Sequence, residues 1–87
     1  MSRSQIYAFA AVLVETLAEG SGRAPRGHAY MGLAHAGVTF NDFNVIERLL
    51  VALKAVTLEG DELVITADGR KLAAEVAAAR AEEADNA

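Results

Sequence analysis

Asn41, Asn44 and Arg48 fall at i, i+3 and i+7, so a helix through them presents two amides and one guanidinium along one side. These are the side chains that hydrogen-bond adenine and guanine edges in a major groove. Arg23, Arg26, Arg70 and Lys71 are the cations that could take phosphates beside such a helix, while Glu47 opposes it and Val51 offers an apolar contact to a protein partner instead. Arg23 and Arg26 also flank a predicted helix N-terminus, where an anion is favoured. A solvated basic turn is the simpler reading of the two.

His28, Met31 and His35 repeat the same spacing and share a helix side. Two imidazoles seven residues apart hold no metal without a third imidazole or a carboxylate, and none lies nearby in sequence, so they read as structural or surface histidines. Nucleophilic chemistry has no better support. Ser2, Ser4 and Ser21 sit at a terminus or in a glycine-rich loop, there is no cysteine, and Gly20-x-Gly22 lacks the preceding strand and third glycine of a dinucleotide fingerprint. The chain therefore reads as a non-enzyme with no cofactor and no metal, and Glu75, Glu82 and Glu83 as a solvated helix face.

The elements that must position these residues follow from local signals. Thr39 can cap a helix whose N3 residue is Asp42, and Val38 and Phe43 form the hydrophobic-staple pair around that cap. Apolar Phe43, Ile46, Leu50 and Leu53 recur at helical period, widened by Val45, Leu49 and Ala52, which leaves Asn41, Asn44, Glu47, Arg48, Val51 and Lys54 facing outward. A helix over 39–55 is expected. Beyond Ala55 the period drops to two: Val56 and Leu58, then Leu63 and Ile65, alternate with more polar neighbours around Gly60-Asp61, which suits a type II′ turn. This predicts a hairpin over 56–65 pairing Glu59 with Glu62, Leu58 with Leu63, Thr57 with Val64 and Val56 with Ile65. Its tip carries Glu59, Asp61 and Glu62 and no cation.

Upstream, Ser2 or Ser4 can cap a first helix, set at 5–19, with Ser2 and Gln5 at capping-box spacing and Ile6, Phe9, Leu13 and Leu17 on one stripe. Tyr7, Val12 and Val14 add apolar surface on other sides, more than so small a domain is expected to cover alone. A homodimer is the consequence drawn, with Tyr7, Val14 and Val76 as its contacts. Gly20 to Gly27 reads as a flexible loop, Pro25 as the N1 residue of a second helix over 25–36, and Gly37 as that helix's stop. Thr66 or Asp68 caps a last, alanine-rich helix over 67–82, and the polar end through Asn86 and Ala87 is expected to fray.

Taken together, Leu63-Val64-Ile65-Thr66-Ala67-Asp68-Gly69-Arg70-Lys71-Leu72 resembles the end of the wing in MarR-like and PadR-like regulators, a strand running into Leu-Thr-x-x-Gly-Arg-x-Leu, with Ile65 where leucine is usual. The resemblance extends over about residues 28 to 76, and Gly37-Val38-Thr39 would be a slightly long turn of a helix-turn-helix. It implies a fold that is mainly α with a two-stranded β-hairpin: a single winged helix-turn-helix domain in the order helix, helix, helix, hairpin, helix. It also implies a dimeric regulator with the helix over 39–55 in the major groove.

Charge argues against that last implication. Residues 1–36 carry three cations and two acids, whereas residues 37–87 carry five cations and ten acids, giving the overall −4. Phosphate neutralisation supplies most non-specific affinity for nucleic acid, so an acidic wing cannot lie along a DNA backbone as a basic one does. Two functions remain open. One is a dimeric winged-helix module working through protein–protein contacts in a regulatory setting; the other is a sequence-specific DNA-binding regulator. The apolar run from Ile6 to Ala18 spans 13 residues with Glu15 inside it, short of the ~20 needed to cross a bilayer. No membrane partner is expected, and the cytoplasm is the expected compartment.

Overall fold

The computed structural model describes residues 1–85, in which four helices and a small antiparallel sheet alternate; Asn86 and Ala87 lie outside the described residues. Helix α1 (Arg3–Glu19) begins at a full capping box, Ser2 accepting from the Gln5 amide while the Gln5 side chain accepts from the Ser2 amide. Strand β1 (Arg23–Pro25) leads directly into helix α2 (Arg26–Ala34). Helix α3 (Phe40–Ala52) has the second capping box, between Thr39 and Asp42. Strands β2 (Val56–Glu59) and β3 (Glu62–Ile65) precede helix α4 (Ala67–Asp85).

The hairpin has the predicted register at all four pairs, and Gly60 takes φ 61°, the positive value that the first turn residue requires. The sheet differs from the expected hairpin by one strand. β1 pairs antiparallel with β3, Ala24 opposite Leu63, to give the order β1-β3-β2. Three residues between a glycine and a helix carry no period, so this strand is set by its neighbour rather than by its own sequence. Pro25 fits there because β1 is an edge, where a missing amide hydrogen leaves no ladder bond unmade. Pro25 is accordingly the residue before α2 and not its first helical residue, and the stretch expected to be a flexible loop is held down.

α3 ends earlier than expected, at Ala52. The Ala55 amide donates to Leu50 O at 2.9 Å and the Lys54 amide to Val51 O at 3.0 Å, with Lys54 itself left-handed at φ 59°. This is a Schellman ending with lysine where glycine is usual. The end of β3 clamps the same turn: Thr66 donates from its amide to Ala55 O at 3.0 Å and from its hydroxyl to Lys54 O at 2.5 Å. The Thr66 hydroxyl also accepts from the Gly69 amide at 3.0 Å and so caps α4. Gly69 is pressed against the Ala55 carbonyl, and a Cβ there would overlap that oxygen and come within 2.7 Å of Ile65 Cγ1. The Thr-x-x-Gly spacing thus ties the base of the hairpin to the end of α3. α4 then continues past the predicted limit of 82 to Asp85.

The core joins α1 (Ala10, Leu13, Val14, Leu17), α3 (Phe43, Ile46, Leu50) and the inner sheet face (Val56, Leu63, Ile65), closed by Leu33, Val38, Ala55 and Ala73. Burying each large aliphatic here contributes about 1.5–3 kcal/mol. α1 packs against α4 on one side and α3 on another, which covers most of its apolar circumference within one chain. Val14 is fully buried in this way, so it cannot be a dimer contact.

Candidate interaction surface

α3 displays the residues singled out for recognition, with one exception. Asn41, Arg48 and Val51 are exposed and Asn44 half-buried, on one side of the helix. Glu47 is not on the outer face. Its side chain is buried and gripped by Arg26, whose Nε donates to Oε2 at 2.7 Å and Nη2 to Oε1 at 2.9 Å. Position 47 follows Phe43 by four and precedes Leu50 by three, both core residues, so its inward direction was readable; the identity of its partner was not. The bond to Glu47, and then the charge of Glu47, hold the Arg26 guanidinium above its ordinary range.

Arg23 is committed likewise. It donates to Glu62 Oε2 at 2.7 Å across the β1–β3 pair, and this bond, then the charge of Glu62, raises its guanidinium above the ordinary range. Arg70 points toward α1, where it lines a shallow cleft with Glu15 and Glu19. Arg80 adds a third ion pair, with Glu15 at 2.5 Å. Among the described residues Arg48 and Lys71 make no ion pair. Of the four cations nominated for phosphates, two therefore spend their charge on carboxylates and a third faces acidic neighbours.

Two concave features flank α3. On one side Tyr7, Leu49, Leu53, Leu72 and Val76 line an apolar groove of about 250 Å³ between α1, α3 and α4. Tyr7 and Leu53 stand about half exposed on its lips, and beyond Tyr7 the apolar surface continues to Ile6 and Val45. Two of the three expected dimer contacts, Tyr7 and Val76, thus share one groove.

On the other side Tyr30, Phe40 and Phe43 wall a pocket of about 330 Å³ with Pro25, Arg26, Gly27 and Asp61. The Tyr30 ring meets Phe40 edge-on at 5.4 Å and Phe43 at 5.6 Å. The mouth is fixed, because the Arg26 amide donates to the Asp61 carbonyl at 2.7 Å and so straps the hairpin tip to the start of α2. Sequence reasoning missed this pocket, since Phe40 at a helix start gives no periodic signal.

No family model, no curated protein and no solved structure matches the chain. His28, Met31 and His35 all lie exposed, and among the described residues no group of three potential ligands could hold a metal ion. No helix among them is long and apolar enough to cross a membrane.

Proposed function

We propose that the chain is a small winged-helix module that works through protein–protein contacts, as a homodimer and in a regulatory role. The element order, helix, short strand, helix, helix, hairpin, helix, supports the winged reading, as does the Thr66–Gly69 clamp that gives the wing-end resemblance a physical role. The observation that carries the choice of protein over DNA is the pairing of Arg23 with Glu62 and of Arg26 with Glu47. Freeing Arg26 for a phosphate would leave the buried Glu47 carboxylate without its partner, a loss of about 3–5 kcal/mol, and freeing Arg23 would leave the partly exposed Glu62 carboxylate to oppose the same phosphate. The acidic tip opposes phosphate as well. Dimerisation is assigned to the groove of Tyr7, Leu53 and Val76, because apolar area repeated on two copies is self-complementary about a two-fold axis.

The alternative, a DNA-binding regulator, keeps one favourable feature: Asn41, Asn44 and Arg48 remain accessible together on α3. A gel-shift with random duplex separates the two. The protein-contact reading expects no retardation at about 50 mM salt; a shift that disappears by about 200 mM salt, the signature of phosphate neutralisation, overturns it.

A further inference from the structure

The aromatic pocket has a chemistry of its own, and the geometry points to a lysine- or arginine-bearing peptide segment of a protein partner as its occupant, an inference that rests on the protein-contact reading. Tyr30 and Phe40 provide accessible ring surface over a floor formed by the buried Phe43, and Asp61 stands at the mouth. Cations are attracted to aromatic faces within about 6 Å of the ring centroid, more strongly where water is partly excluded. Phe40 is 55% exposed at the start of a helix and meets Tyr30 in a T-shaped contact, so its outer surface is ready for a contact that the chain itself does not make. A pocket of about 330 Å³ lies at the small end of ligand sites, the scale of one inserted side chain with its neighbours outside.

The sign of the ligand follows from charge around the mouth. Arg26 is neutralised by Glu47 through two hydrogen bonds. Glu59, Asp61 and Glu62 occupy the strapped hairpin tip against the single guanidinium of Arg23, leaving two net negative charges. One effect opposes a cation. The α2 N-terminus at Pro25 has no side-chain cap, and its unpaired amides carry a partial positive charge; that is at most about half an elementary charge, and it falls off within one turn. Two full charges outweigh it. An anionic ligand would have to approach past the tip, whereas a basic segment is attracted to the mouth from a distance comparable with the ~8–10 Å screening length.

The test uses an acetylated, amidated heptapeptide of lysine, arginine and glycine, with its glutamate counterpart as control, titrated into the isotope-labelled full chain. Binding of the basic peptide alone, with Gly27, Tyr30 and Phe40 amide resonances moving first, is expected. Phe40→Ala and Asp61→Asn should each weaken it about three- to fivefold, while Glu82→Gln/Glu83→Gln leaves it unchanged. Phe40 lies outside the core, and unchanged dispersion of the remaining resonances verifies that the variant folds. Equal affinity in wild type and Phe40→Ala, or shifts spread over the acidic face of α4, overturns the pocket while leaving the protein-contact reading in place. Absence of peptide binding together with low-salt retardation of duplex DNA overturns both.

Discussion

Arg26 and Glu47, 21 residues apart, meet as a two-bond ion pair with the carboxylate buried and the guanidinium about one-third exposed. The contact joins the first turn of α2 to the middle of α3 and so fixes the angle between the two helices. Arg26→Ala strands a buried charge and should cost about 3–5 kcal/mol in urea unfolding. Replacing the pair by apolar residues of similar volume, Arg26→Met with Glu47→Leu, should recover most of that loss; a double variant as unstable as Arg26→Ala would show that the geometry of the pair, not its desolvation, dominates.

The pH dependence of this pair has a definite sign. Glu47 raises the Arg26 guanidinium above its ordinary range, so the stabilisation is complete below the unfolded value and is lost only as pH rises through the still higher folded one. Both lie beyond ordinary working conditions. The stability difference between wild type and Arg26→Gln should therefore be equal at about pH 7 and about pH 9. A difference that shrinks over this interval would place the titrating group elsewhere.

Gly69 and Gly32 are both helical glycines and should respond in opposite directions. A methyl group at Gly69 overlaps the Ala55 carbonyl oxygen, and the backbone there cannot yield without opening the end of α3. Around Gly32 nothing lies within 4 Å of the added carbon. Gly32→Ala should stabilise by about 0.5–1 kcal/mol through helix propensity, whereas Gly69→Ala should destabilise by several times that amount, about 3 kcal/mol. Thermal melts of the two variants side by side decide it, and a neutral Gly69→Ala would dissolve the clamp.

Leu53, half exposed at the lip of the groove, is expected to lie at the two-fold interface. Wild type should sediment as a dimer at about 50 μM, and Leu53→Glu as a folded monomer, because two like charges would face each other across an apolar contact. A wild-type monomer at that concentration would remove the dimer.

What the amino-acid order determined by itself was local: two capping boxes, the Gly60-Asp61 turn, the register of β2 on β3, and a cap for α4 at Thr66 or Asp68, of which the structure uses Thr66. Each rests on residues within a few positions of one another, where side-chain chemistry and backbone geometry leave little choice. Tertiary structure decided the rest. Arg23–Pro25 became a strand because the free edge of β3 lay beside it, and Val14 left the list of dimer contacts because α1 is wrapped by α3 and α4. Glu47 turned inward to a partner that no periodicity identifies. Arg23 and Arg26, readable from the chain as phosphate ligands, were assigned to carboxylates 39 and 21 residues away, since the pairing of distant charges depends on how helices and sheet are brought together in space.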